Sequence, residues 1–216
     1  MSIIECIFLI KYMSFKQFYN RLLVESFGGV HISVDVQPEY EDVIPFDIVE
    51  YYEWMNESFN EVVVYVNGEE LGFPNIEEHK QWLVYEKDVP EEIVYSDKFE
   101  FREKGYAFFR SCMDTGRVEC LIDIIRYMFD NHITDSRDID IDDNPFKDQT
   151  NCDDILEFII NSGDTINIPD LMFELKDDGF TKVSVSGGGT NECLEEIRLA
   201  LKALNIKYTD INNYIY

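Results

Sequence analysis

TKVSVSGGGTNECLEEIRLALKAL (Thr181–Leu204) runs from a strand-like alternation through three consecutive glycines into an amphipathic helix. Strand, glycine turn and helix in that order form the cradle that nucleotide-binding proteins place around phosphates. A phosphate loop also needs a Lys to meet the charge and a Ser or Thr for the metal, and of these only Thr190 is present. Glu192 occupies the first helical turn, with Glu195 and Glu196 behind it, where an anion would dock. The dinucleotide fingerprint fails as well: counted from Gly187, the second glycine falls at Gly189 but the third position is Glu192. The stretch therefore reads as a tight structural turn whose glutamates complement the helix dipole, and no cofactor is expected.

Working outward, CDDILEFIINSG (152–163) reads as a helix closed by Gly163. The stretches 166–175 and 180–186 flank Asp178-Gly179 as a hairpin, which gives a C-terminal helix-hairpin-helix block. In the first half, SFKQFYNRLLVE (14–25) has helical spacing, and VHISVDV (30–36) alternates as a strand with His31, Ser33 and Asp35 on its polar side. A helix is expected over 46–59, a hairpin over 60–73 around Asn67-Gly68, and strands over 79–101, where aromatic and charged residues alternate around Pro90. RVECLIDIIRYMFDNH supplies the strongest helical stripe of the chain. The expected fold class is α+β, with a mostly antiparallel sheet and packed helices. The expected division is an N-terminal domain 1–132, an acidic linker or loop 133–151, and a C-terminal subdomain 152–216.

The formal net charge of -26 lies well outside what solubility requires, and it is regional. Residues 37–100 carry 18 acids against 3 bases and residues 131–180 carry 14 against 3, while the other three blocks are neutral. Such a field repels nucleic acid and anionic lipid and attracts basic protein surfaces, so direct nucleic-acid and membrane binding are not expected. Five cysteines at irregular spacing read as reduced thiols. The apolar run IIECIFLI is interrupted by Glu5, has no basic leader and is too short to span a bilayer, and Met13 offers an alternative start. A cytoplasmic protein is expected, in the host cytoplasm if the gene belongs to a phage.

Three patterns offer sites. Asp138, Asp140 and Asp142 alternate as in a calcium loop, but Asp143 stands where that loop needs Gly, and Gln149 where it needs a bidentate Glu. They are lesser metal candidates, and no metal is favoured. HISV begins at His31 and HITD at His132, two His-apolar-Ser/Thr tetrads in a chain with three histidines. The pair resembles the paired His-x-Thr signature of the two-histidine phosphoesterases. That resemblance implies His31 and His132 as general acid and base, with Ser33 and Thr134 contacting phosphate. The third pattern is acidic: the doublets Glu69-Glu70, Glu77-Glu78 and Glu91-Glu92, interleaved with aromatics, and the row Asp138, Asp140, Asp142 and Asp143.

Carboxylates on rigid elements imitate a row of phosphates, with aromatic residues as anchors. The leading expectation is a non-enzymatic acidic binding protein that occludes a basic, nucleic-acid-binding surface of a partner such as a nuclease. Nucleic-acid mimics of this kind include phage anti-defence inhibitors and immunity proteins. The alternatives are the two-histidine phosphoesterase and a structural or oligomeric module of an acidic proteome.

Overall fold

The computed structural model describes residues 29–68, 74–104, 118–140, 146, 166, 168, 170–180, 182–190 and 193–216. Five strands, β1 (Val30–Val34), β2 (Glu61–Asn67), β3 (Phe99–Lys104), β4 (Lys182–Gly187) and β5 (Lys207–Ile215), form one sheet in the order β3-β2-β1-β4-β5. Every neighbouring pair is parallel. The fold class is therefore α/β, and the expectation of a mostly antiparallel α+β sheet is overturned.

Helices cover both faces. On one face lie α1 (Ile48–Ser58), α2 (Ile76–Tyr85) and the single turn α3 (Glu91–Val94), packed on Val62, Val64, Val66, Phe99 and Phe101. On the other lie α4 (Val118–Asp130), α5 (Asp170–Asp177) and α6 (Cys193–Ala203), packed on Val30, Ile32, Val34, Val63, Val183 and Val185. Chain direction across the sheet reverses at β1: connections run outward through β2 to β3, then resume at β4 on the other side. Crossovers of one hand then place their helices on opposite faces. Every residue of β1 is buried, as a central parallel strand with helices on both sides requires. β1 pairs with β4 across residues 133–151, so strands from the two expected domains belong to one sheet.

Each misread element has a local cause. The alternation in 79–86 also meets helical spacing: His79, Trp82 and Leu83 are buried along α2, and Asn75 with Glu78 forms a reciprocal capping box at its start. Asn67-Gly68 does not turn a hairpin, because β2 pairs in parallel with both neighbours. Asp178-Gly179 belongs to a helix terminus rather than a hairpin. The Phe180 amide bonds the Leu175 carbonyl at 2.8 Å, the Gly179 amide bonds that of Lys176 at 3.1 Å, and Gly179 has φ 75°. That is a Schellman cap on α5. The same pattern closes α4 with His132 at φ 55° and α6 with Asn205 at φ 57°. The helices expected over 14–25 and 152–163 lie outside the described residues.

Cys120 is disulfide-bonded, which overturns the expectation of reduced thiols throughout. No described helix is long and apolar enough to cross a membrane.

β4 lies close against β1 at Gly187, where φ is 107° and a Cβ would stand 1.9 Å from the Val34 carbonyl oxygen. Gly187→Ala should lower the free energy of urea unfolding by about 3 kcal/mol or more. His132→Gly should raise it by about 1 kcal/mol, since only glycine occupies the left-handed cap position without a Cβ penalty.

Candidate functional site

In open parallel sheets, ligands bind beyond the carboxyl ends of the strands at the point where the strand order reverses. Here that point lies between β1 and β4. A crevice of about 370 Å³ lies there, lined by Asp35, Tyr40, Val43, Gly188, Gly189, Cys193 and Tyr216 among the described residues. The size is within the usual range for small-molecule sites, roughly 300 to 1,000 Å³. Asp35 follows β1 directly, is 2% exposed, and holds φ 55°. Tyr40 and Val43 come from a 3-10 turn, Pro38–Val43, started by proline at its first position. That turn is tied to the end of β2: the Asn67 side-chain amide donates to the Tyr40 hydroxyl at 3.1 Å, and the Asn67 backbone amide donates to Gln37 Oε1 at 2.8 Å.

The glycine turn forms the opposite wall and is engaged by the chain itself. The Gly188 amide donates to the Val34 carbonyl at 2.8 Å. The Thr190 amide and hydroxyl both donate to the Tyr216 backbone oxygen, at 3.1 and 2.8 Å. The Tyr216 ring lies on Gly188, where a Cβ would come within 2.4 Å of it, and its hydroxyl donates to the Asp35 carbonyl at 2.7 Å. Arg198 is spent on Asp210 (3.0 Å), the Thr190 carbonyl (2.8 Å) and Glu195 (3.2 Å). The Gly188 and Thr190 amides thus bond internal acceptors, and the described lining residues include no Lys or Arg.

Beneath the crevice, β1 and β4 are joined by buried polar side chains under α1. His31 is 0% exposed; its Nδ1 lies 2.7 Å from Ser184 Oγ and its Nε2 2.8 Å from Ser186 Oγ. Tyr51 donates to Ser33 Oγ at 2.8 Å and also bonds Ser186 Oγ. A neutral ring protonated at Nε2 satisfies the whole chain: Ser184 donates to Nδ1, Nε2 donates to Ser186, Ser186 to Tyr51, and Tyr51 to Ser33. The imidazole also stacks on Phe59 at 4.5 Å and meets the edge of Trp54. Burial pushes the His31 pKa down to about 3 and raises that of Tyr51.

The residues singled out from sequence are dispersed. His31 and Ser33 face α1 in the interior, while His132 and Thr134 are exposed beyond the end of α4, where His132 lies near Phe173. The histidines sit on opposite sides of the sheet and share no cleft. Glu77 and Glu78 open α2 and Glu91 and Glu92 open α3, all four exposed. Asp138 and Asp140 are exposed on the other face, beside Ile139, which packs under α4. No metal-holding cluster of His, Cys, Asp and Glu occurs among the described residues. Glu69, Glu70, Asp142 and Asp143 lie outside the described residues. Asp35, Tyr40, Val43 and Tyr216 went unnoticed as a group; the signal was an acid ending a fully apolar-flanked strand ahead of Gln-Pro.

Sheet order, two helical layers and a crevice at the reversal define a doubly wound α/β protein. No protein-family model matches the chain, and no curated protein or solved structure is significantly similar to it.

His79 is also buried, against Trp82 and Phe101, and its pKa is likewise lowered to about 3 by burial. Neither of its ring nitrogens has a hydrogen-bond partner among the described residues. Both histidines thus titrate in the unfolded chain near 6.5 but not in the folded one until about pH 3. Their contribution to stability is complete above pH 6.5 and falls as the pH drops through that window, by about 2 kcal/mol per histidine at pH 5. His79→Leu should remove one such share, measured as a shallower loss of unfolding free energy between pH 7 and 5 than in the parent chain. It should also raise stability at pH 7 by about 1 kcal/mol, because an unsatisfied polar ring leaves the core.

Proposed function

We propose that the helical layer formed by α1, α2 and α3 is a docking face for a basic surface on another protein. The observation that carries this reading is the distribution of charge and exposed aromatic surface on that layer. Along α1, Glu50, Glu53 and Glu57 are exposed; along α2 and α3, so are Glu77, Glu78, Glu86, Glu91 and Glu92. The three lysines of residues 37–100 are engaged within the chain: Lys87 pairs with Glu41, Lys98 bonds the Asn56 carbonyl, and Lys80 lies over the Tyr95 and Phe101 rings. Tyr85 and Tyr95 are 75% and 44% exposed in the middle of this field. Tyr95 donates to Glu77 at 3.0 Å, which ties α3 to the start of α2.

Aromatic anchors ringed by like charges are the composition of a protein interface for a partner of opposite sign. A basic channel that holds nucleic acid is such a partner, and occupying it would exclude the nucleic acid by competition. Inhibition of a nuclease or of a defence effector is the finer form of the proposal. Asp138 and Asp140 are not part of this face, because they lie on the other side of the sheet. The two-histidine chemistry is not carried forward, since an acid and a base that transfer protons to one substrate must share a cleft.

The test begins with a photo-crosslinking residue at position 85, introduced in cells that express the chain, to capture and identify the partner. Competition between the chain and DNA for that partner is then followed by fluorescence anisotropy. The chain should displace DNA, with affinity falling at least tenfold between 50 and 300 mM salt. Replacing Glu77, Glu78, Glu91 and Glu92 with Gln should weaken binding by about 30- to 100-fold, at roughly 0.5 to 0.7 kcal/mol per charge. Gln at position 78 retains the capping box, so the variant keeps its fold. Salt-insensitive binding, or capture of a second copy of this chain alone, would overturn the reading in favour of an oligomeric module.

A further inference from the structure

Glu77, Gln81 and Tyr85 follow one another at helical spacing along α2, and all three are exposed. Tyr95, which closes α3, lies against this ridge. Its hydroxyl donates to Glu77 at 3.0 Å, and Glu77, Tyr85 and Glu91 all stand near enough to that hydroxyl to disfavour its ionisation. Two exposed tyrosine rings and two carboxylates thus share one patch of the acidic layer.

The cations of the chain itself leave part of this patch open. Lys80 stands three residues along from Glu77, yet its Nζ lies over the Tyr95 ring at 5.2 Å and the Phe101 ring at 4.9 Å rather than on a carboxylate. Lys87 is turned to Glu41 and to the Trp82 ring. Among the described residues neither Glu77 nor Glu91 has an ion-pair partner, and Tyr85, 75% exposed, makes no ring or cation contact. A bare ring beside unpaired carboxylates discriminates between basic side chains. A guanidinium lays its weakly hydrated plane on the ring and still turns its N–H edge toward the carboxylates. An ammonium is a compact, strongly hydrated charge that keeps its water at an open surface. Carboxylates without the ring would take either one, on charge alone.

Resting on the docking-face reading, we infer that the partner meets this patch through an arginine side chain, stacked on Tyr85 with its N–H edge toward the Glu77 and Glu91 carboxylates. Tyr85 sets which basic residue is accepted, and the glutamates set how strongly it is held.

Two peptides of equal charge separate the contributions: an acetylated and amidated chain of five Gly-Arg repeats, and its counterpart of five Gly-Lys repeats. Each is titrated into the intact protein by calorimetry at about 100 mM salt. The arginine peptide should bind about fivefold tighter. Tyr85→Leu should bring the arginine peptide down to the level of the lysine peptide and leave the latter nearly unmoved. Tyr85→Phe should keep the preference, because the ring and not the hydroxyl carries it. Tyr85 ends α2 and is mostly exposed, so both exchanges leave the core intact. Tyr208→Leu, at an exposed ring of β5 that already has Arg198 beside it, should leave the preference unchanged. Equal binding of the two peptides, or a preference that survives Tyr85→Leu, would overturn the inference. The four-fold Gln variant of α2 and α3 should weaken both peptides by about tenfold or more. Unchanged binding by that variant removes the docking face and this inference with it; weakened binding without an arginine preference in the parent removes this inference alone.

Discussion

The contact on which the rest of the molecule depends is the approach of β4 to β1. The two strands meet where the sheet changes direction, so no helix connects them directly and their junction is held by their own side chains. Gly187 permits the approach by lacking a Cβ, and the Gly188 amide closes it onto the Val34 carbonyl. One layer down, His31 spans from β1 to Ser184 and Ser186 of β4, and Tyr51 extends the chain of hydrogen bonds to Ser33. Burial holds the imidazole neutral, and with its proton on Nε2 every hydroxyl in the network finds a partner. A buried polar junction in the middle of an otherwise apolar sheet also fixes register, since a slip of one residue would point His31 into the aliphatic layer under α6.

The sheet separates two kinds of surface. The layer formed by α1, α2 and α3 carries exposed glutamates along all three helices, while the lysines of residues 37–100 are engaged by a carboxylate, a carbonyl and aromatic rings. The opposite layer mixes charges, for example Arg126 with Asp123 at 2.9 Å and Lys202 with Glu119 at 3.7 Å. None of the described residues that line the crevice comes from α1, α2 or α3.

Local signals made individual elements legible and left their assembly open. The strand at 30–36, the helix around 118–130 and the strand-turn-helix of 181–204 followed from periodicity, because one face of each is apolar. Parallel pairing did not follow, because its evidence lies in contacts between residues more than 150 positions apart, such as His31 with Ser184. Asp-Gly and Asn-Gly are chemically competent for both hairpins and helix ends, since each supplies a residue tolerant of positive φ. Gly179 was read as the first and is the second. The candidate site shows the same division. Glu192, which weighed in the reading of the glycine turn, lies outside the described residues, and nothing local indicated that Tyr216 would fold onto that turn or that Asp35 would line the same crevice.

One consequence of the open sheet concerns its rims. Among the described residues, β3 and β5 each leave one side of their backbone without a neighbouring strand in the sheet. β3, FEFREK, carries Glu100, Arg102, Glu103 and Lys104, with Arg102 bridged to Glu174 at 2.6 Å. β5 breaks register against β4, pairing Val185 with Asp210 but Gly187 with Ile215, so its rim bulges and strays from a straight template. Charged or irregular rims resist the addition of a further strand from another molecule. Any open sheet exposes such rims to a further strand, and the two described here carry charge on one and a register break on the other.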